Sequence, residues 1–372
     1  MKIYILIGTR PNFIKVTRFK ELAQYNSDIE VFIIHTGQHF DRNMSEVFFQ
    51  QFDMQPDYFL DIDSSSVIRQ FSMIMMKLED LMLEIGKPDL LLVPGDVNST
   101  LAGALTANKL GIKLAHLESG LRSFDRSMPE EINRILTDRL SDVFFVTEKS
   151  GLEHLLAEGV ERQQIEFVGN TMIDTLVKFD PQIDDSQILI ELKLKKDSYL
   201  LITLHRPSNV DTIKNQIKLI SMVKDLAEHR LSVFPVHPRT KNALISSGLW
   251  DSFELTENLI LLDPLGYFEF QKLVKHCFVV VTDSGGIQEE TTFRTKPCFT
   301  LRNNTERPIT IDQGSNKLLP FSSSVVLSEI AKLESEGPKP SQIPPLWDGY
   351  ATNRIFEVFE KIRIANNEFG KS

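Results

Sequence analysis

The sequence predicts an α/β protein built from two doubly wound, Rossmann-like domains facing a cleft, and three observations lead there. Short, wholly apolar runs alternate with amphipathic stretches of helical length. The runs fall into two successive series along the 372 residues. The residues that look least structural come just after the runs. A strand apolar on both faces belongs to a parallel sheet covered by helices on both sides. In such sheets ligands sit beyond the carboxyl ends of the strands.

In chain order, the first series has apolar runs at 3–7, 31–35, 90–93, 113–117, 143–146 and 165–168. Amphipathic helices are expected between them over 12–24, 67–85, 100–110 and 130–140. The second series has runs at 199–203, 231–235, 259–262, 278–282 and 297–300. The polar, acidic segment 178–196 reads as a linker with an entry helix, and the Pro-rich stretch 337–345 as an extended connector. These signals place an N-terminal domain at 1–170 and a C-terminal domain at 171–351. A closing helix within 352–366 is expected to cross back and pack on the first domain. A homodimer is expected, and the methionine-rich face of 71–85 is either its contact or the side of a buried core helix.

Composition excludes several classes. Apolar content of 42% and charged content of 25% are those of an ordinary globular protein. A formal net charge of −10 argues against a nucleic-acid or anionic-membrane binder, so any phosphate affinity must be local. Cys277 and Cys298 lie in apolar runs, which fits buried thiols in a reducing, cytoplasmic compartment. The apolar start at 1–7 is too short for a signal peptide, and no run approaches the ~18 residues of a membrane span. The histidine and carboxylate spacings match no zinc site, and no strand is followed by Gly-x-Gly-x-x-Gly, so neither a metal nor a dinucleotide is expected.

The most informative stretch is Val279-Val-Val-Thr-Asp-Ser-Gly-Gly-Ile-Gln-Glu-Glu290. A strand that turns through Ser284, Gly285 and Gly286 into a helix aims free backbone N–H groups at one point, where the helix dipole adds positive charge. Two glycines let an anion approach the backbone closely. Glu289 or Glu290, one turn further on, would repel a phosphate but suits the hydroxyls of a ribose. Diphosphate plus ribose means a nucleotide. Other strings at strand ends are Gly8-Thr-Arg10-Pro-Asn-Phe-Ile-Lys15, Pro94-Gly-Asp96, Glu118-Ser-Gly, Pro129-Glu130-Glu131 and His205-Arg-Pro. Some have plainer readings. Asp96 suits a helix N-cap, Glu130 and Glu131 suit the first turn of a helix, and His205 suits a hydrogen-bonded core histidine. Glu118, acidic and followed by Ser-Gly after an apolar run, has no obvious structural task.

Taken together, these strings resemble the non-hydrolysing UDP-N-acetylglucosamine 2-epimerases, which share the two-domain architecture called glycosyltransferase-B (GT-B). The resemblance covers nearly the whole chain and rests on Gly-Thr-Arg-Pro at 8–11, His-Leu-Glu-Ser-Gly-Leu-Arg at 116–122, Pro-Glu-Glu-Ile-Asn-Arg at 129–134, Asp-Ser-Gly-Gly-Ile-Gln-Glu-Glu at 283–290 and Thr-Glu-Arg-Pro at 305–308. It implies that Ser284, Gly285 and Gly286 hold the diphosphate of a UDP-amino sugar and that Glu290 holds the ribose. It also places Phe270 against the uracil and Arg307 near the phosphates, with Arg10 and Lys15 reaching in from the first domain. Asp96, Glu118, Glu130 and His205 match the family's catalytic positions. The family inverts C2 without a metal or nicotinamide cofactor, by eliminating UDP to a 2-acetamidoglucal and adding it back. A hydrolysing relative, an epimerase of a related UDP-amino sugar, a glycosyltransferase and a non-catalytic sensor are the alternatives. Members activated by their own substrate carry a second sugar-nucleotide site near a Gln-His loop, with a further glutamine and an arginine. Here Gln38-His39 is followed by serines and acids at 61–66, which puts substrate activation in doubt.

Overall fold

The computed structural model describes residues 1–37, 48–62 and 66–369. Among these, every strand pairing is parallel, and the strands form two sheets. The first holds β1 (Lys2–Ile7), β2 (Glu30–His35), β3 (Tyr58–Phe59), β4 (Leu90–Pro94), β5 (Leu114–Leu117), β6 (Val143–Val146) and β7 (Ile165–Phe167) in the order β3-β2-β1-β4-β5-β6-β7. The second holds β8 (Leu200–Thr203), β9 (Ser232–Pro235), β10 (Leu259–Leu262), β11 (Val279–Thr282), β12 (Cys298–Leu301) and β13 (Asn316–Leu319) in the order β10-β9-β8-β11-β12-β13. In each sheet the strand order reverses once, between β1 and β4 in the first and between β8 and β11 in the second. Those two reversals are where a doubly wound sheet opens a crevice for ligand.

The sequence dictates these strands through burial on both faces. All five residues of β4 are buried, as are all four of β5, β6, β8, β9, β11 and β12. Helix Val67–Ile85 shows the complementary pattern. It buries Ile74, Leu78 and Met82 at helical spacing against Tyr4, Leu6 and Leu91, each worth roughly 1.5–3 kcal/mol. Ser66 starts it by accepting the N–H of Arg69 at 3.2 Å, and Gly86, at φ 87°, ends it. The helix is part of the first core. Its outer face nevertheless leaves Ile68, Met76 and Leu83 exposed.

Packing divides the chain into Met1–Lys178 with Pro345–Ser372, and Phe179–Pro344. The divide falls after helix Thr171–Lys178 rather than at 170, because that helix packs on helix Arg10–Val16. The closing helix, Ala351–Phe369, lies on the first unit through Phe356 and Phe359 against Phe19, and Asp174 accepts the N–H groups of Ala351 and Thr352 at its start. Nearby, Trp347 is buried and donates its indole N–H to the Thr147 carbonyl at 3.0 Å.

Segment 178–196 departs from its reading as a linker. It forms helices Asp180–Asp185 and Ile188–Glu191, and Ile188 and Leu194 pack with Tyr199 and Leu273 in the core of the second unit. Each helix is too short to show helical periodicity, so the apolar residues looked isolated. Cys277 and Cys298 are both free thiols with 0% exposure. Burial pushes them up to about 12 and about 11, which keeps them protonated and inert. No helix among the described residues is long and apolar enough to cross a membrane.

Candidate active site

At the reversal in the first sheet, the ends of β1, β4 and β5 bring charged groups together. Helix Arg10–Val16 begins immediately after β1, with Thr9 as N-cap and Pro11 in its first turn, so Lys15 lies one turn inside it. Lys15 is 5% exposed and its Nζ lies 2.5 Å from Glu118 Oε2. Glu118 itself is 1% exposed and stands at φ 71°, a left-handed backbone that costs a non-glycine residue about 1–3 kcal/mol. Strain of this kind collects where a side chain must be aimed. Gly95, at φ 70°, leaves room for the pair. A Cβ there would stand 2.9 Å from Lys15 Nζ and 3.5 Å from Glu118 Oε2.

Asp96 follows Gly95 and forms an ion pair with Arg134. Arg134 is 1% exposed and comes from helix Pro129–Leu140, as does Asn133, which donates to the Asp96 carbonyl at 3.0 Å. Asp96 is not an N-cap: helix Asn98–Leu110 starts two residues later, with Val97 at the cap position. The adjacent Glu130 and Glu131 have separate fates. Glu131 is buried and accepts from the N–H groups of Ser123 and Phe124 and from the Ser123 hydroxyl, which fixes the loop ahead of the helix. Glu130 is half-buried on the first turn and makes no hydrogen bond or ion pair with another described side chain. Arg10 lays its guanidinium over the Phe48 ring at 4.0 Å.

At the reversal in the second sheet, β8 and β11 end side by side. Asp283 is fully buried and laces the two ends together. It accepts the N–H groups of His205 and Arg206 at 3.0 and 2.9 Å and the Asn209 side chain at 2.9 Å, and its Oδ1 lies 3.2 Å from His205 Nδ1. Burial pushes its carboxyl up, but the hydrogen bonds and charge of His205, with the Arg206 N–H, hold it below the usual carboxylate range. His205 is therefore no core histidine. Its side chain is 36% exposed and stacks on His237 at 5.0 Å.

Helix Gly285–Phe293 starts two residues after Asp283. Ser284 is its N-cap but makes no side-chain cap bond, so the cap leaves the first-turn N–H groups to other partners. Beside this terminus sits an alternating charge cluster. Arg307 pairs with Glu306 and lies 2.8 Å from Glu289, and Arg302 lies 2.9 Å from Glu306. Burial lowers the pKa of Arg302, opposed by Glu306, while Arg206 and Arg307 push in the same direction as burial. Three guanidiniums thus share the neighbourhood of a helix N-terminus, which is the electrostatics of an anion site. Glu289 is consumed by Arg307. Glu290, next to it on the helix, is 4% exposed. Phe270 lies half-buried on helix Tyr267–His276, against the second unit's core.

The structure therefore groups Arg10, Lys15, Asp96, Glu118 and Glu130 in the first unit, and His205, Ser284, Gly285, Gly286, Glu290 and Arg307 in the second. Sequence reasoning did not single out Arg134, Arg206, Asp283, Arg302 or Glu306. Each stands near a strand end; Arg134 and Arg206 meet partners distant in sequence, while Arg302 and Glu306 pair within one loop. Gln38, His39 and residues 63–65, on which the question of a second sugar-nucleotide site turned, lie outside the described residues.

A family profile described as UDP-N-acetylglucosamine 2-epimerase matches residues 20–360. The UDP-N-acetylglucosamine 2-epimerase of Methanococcus maripaludis is 40% identical over 339 residues, covering 89% of this chain and 91% of that one. The UDP-2,3-diacetamido-2,3-dideoxy-D-glucuronate 2-epimerase of Pseudomonas aeruginosa is 41% identical over 326 residues, covering 86% and 88%. The crystal structure of Methanocaldococcus jannaschii UDP-GlcNAc 2-epimerase in complex with UDP-GlcNAc and UDP superposes with a TM-score of 0.89. It is 36% identical, and the match covers 97% of this chain and all of that one.

Proposed function

Since the chain belongs to the UDP-N-acetylglucosamine 2-epimerase family, we propose that it interconverts UDP-N-acetylglucosamine and UDP-N-acetylmannosamine without net hydrolysis. The observation that carries the reading is the pair Asp96 and Glu118 after neighbouring strands, each held by a buried cation, Arg134 and Lys15, with Glu130 on the helix that supplies Arg134. Such an array suits proton transfer on a sugar ring better than simple group transfer, which needs a single base.

The chemistry follows from the substrate. C2 of an amino sugar has no neighbouring carbonyl, so its proton is not acidic until the bond from C1 to the diphosphate oxygen breaks. As that bond breaks, the electron pair leaves with UDP and C1 becomes cationic. A carboxylate then takes the C2 proton, and the C2–H electrons form the C1–C2 double bond of the 2-acetamidoglucal. Re-addition of UDP with protonation from the opposite face gives the epimer. Ser284, Gly285 and Gly286 hold the diphosphate through the helix end, and Arg307 neutralises the charge that develops there, a contribution of several kcal/mol. Glu290 accepts from the ribose and Phe270 packs on the uracil. Arg10 and Lys15 are the first unit's cations toward the leaving group, Lys15 while it is held on Glu118. Asp96, Glu118, Glu130 and His205 are the catalytic groups. No metal or redox cofactor is needed for these steps. The working protein is a homodimer.

The Pseudomonas relative favours a second reading of the substrate alone, in which the ring carries further acetamido and carboxylate groups. Incubation with UDP-N-acetylglucosamine and no acceptor tests the proposal. UDP-N-acetylmannosamine is the expected product. UDP with free N-acetylmannosamine would mean a hydrolysing enzyme, and no turnover would shift the substrate to the diacetamido class.

A further inference from the structure

We propose that His116 is a positioning residue whose ring, donating from both nitrogens, clamps the turn carrying Asp96. The proposal rests on the reading of Asp96 as catalytic.

His116 lies on β5, two residues before Glu118, and is 0% exposed. Its Nε2 is 2.7 Å from the Gly95 carbonyl oxygen and its Nδ1 is 2.6 Å from Asp138 Oδ1. A carbonyl oxygen only accepts, so Nε2 carries a proton. The other partner is acceptor-only as well. Asp138 Oδ2 lies 2.7 Å from Arg122 and accepts the Gly120 N–H at 3.1 Å, and the guanidinium charge beside it favours the ionised carboxylate. Burial would raise the Asp138 carboxyl, but His116 and Arg122 outweigh it and hold it below the usual range. Nδ1 is therefore protonated too. Turning the ring over would set carbon atoms against both oxygens.

Arg122 continues the chain to Glu158, with contacts of 2.8 and 3.0 Å. The sequence of charges is plus, minus, plus, minus, so the buried network is neutral as a whole and each polar atom of the ring is satisfied. The other ionisable groups on the packed elements are engaged elsewhere. His154 bonds the Gly120 carbonyl, Arg134 faces Asp96 and Glu131, Arg139 faces Glu158, and Lys15 faces Glu118.

The clamp acts on the turn from β4. The Pro94 carbonyl accepts from Asn12 and Thr100, the Gly95 carbonyl from His116 and the Asp96 carbonyl from Asn133. The Gly95 N–H is tied to the Leu117 carbonyl at 2.9 Å. Three successive carbonyls are thus held by side chains from four elements, and the direction of the Asp96 carboxylate is set by that frame. Losing one ring proton would turn a lone pair onto an oxygen and push the turn or the helix of Asp138 away.

Histidine-selective 15N spectra of the whole protein test the charge state. One ring, absent from His116→Gln, should show both nitrogens protonated at neutral pH. In His116→Gln, kcat should fall about tenfold or more while UDP affinity by calorimetry is unchanged, because the frame and not the nucleotide site is disturbed. A neutral tautomer in the wild-type ring at neutral pH would overturn the proposal, as would unchanged kcat in a folded variant. If His116→Gln fails to fold, the remaining doubly protonated ring is assigned by its scalar and spatial couplings to Gly95 and Asp138, and its absence is decisive. An enzyme inactive on every UDP-amino sugar would remove the functional reading, while the ring spectrum would still decide whether the charged clamp exists.

Discussion

Glu130 stands on the first turn of its helix without a side-chain partner among the described residues, whereas Asp96 and Glu118 are each held by a buried cation. The three carboxylates therefore respond differently to neutralisation. Glu130→Gln should lower turnover about a hundredfold, the scale of a lost general acid or base, and leave UDP affinity and melting temperature unchanged. Glu118→Gln should lose turnover and also stability. It strands the Lys15 charge in a 5% exposed site, where breaking a buried pair costs about 3–5 kcal/mol. Urea titrations of the two variants should separate by that margin, and equal midpoints would contradict the buried pairing. His35 makes a pH prediction. It accepts the Gly37 N–H on Nδ1 at 2.8 Å, and burial lowers it from 6.5 to about 4. The folded state thus disfavours its charge, so its contribution is complete above pH 6.5 and is lost as the pH falls toward 4, on the order of 3 kcal/mol. His35→Asn should flatten the fall in stability over that window, and an unaltered slope would remove His35 as its cause. The sequence exposed Glu118 because a strand-end acid before Ser-Gly lacked a structural task. It hid the charge partners of His116 and Asp96, which lie 22 and 38 residues away in sequence and meet only once the sheet order is known.

At the scale of elements, helix Gly285–Phe293 makes the clearest test. A Cβ on Gly285 would stand 2.8 Å from Arg307 Nη1 and 2.9 Å from Glu306 Oε1, so a larger residue displaces the guanidinium and blocks approach to the helix end. Gly285→Val should weaken UDP binding by more than tenfold, about 1.4 kcal/mol, and undiminished affinity by calorimetry would sink the assignment of the nucleotide to this helix. The element was legible because β11 is a pure β-branched run stopped by Asp-Ser-Gly-Gly. The strands missed from the sequence had weaker signals. β3 is two residues long, and β13 is Asn-Lys-Leu-Leu, with an exposed lysine in a strand at the sheet edge. Helices of six and four residues within 179–196 fell below the length at which periodicity can be read.

At the scale of the whole molecule, alternating wholly apolar runs and amphipathic helices fix two parallel sheets, and each sheet's own reversal gathers charged residues. Carboxylates and their cations gather at one reversal, and a helix N-terminus ringed by guanidiniums stands at the other. The proposed division of labour makes a single claim about covalent chemistry, namely that the C2 proton of the substrate leaves and a different one returns. The most direct measurement is the reaction of the protein with UDP-N-acetylglucosamine alone in deuterated water, read by NMR and mass spectrometry of the recovered sugar nucleotides. The account predicts UDP-N-acetylmannosamine carrying one deuterium at C2. Epimerised product that retains its original hydrogen at C2 would contradict it.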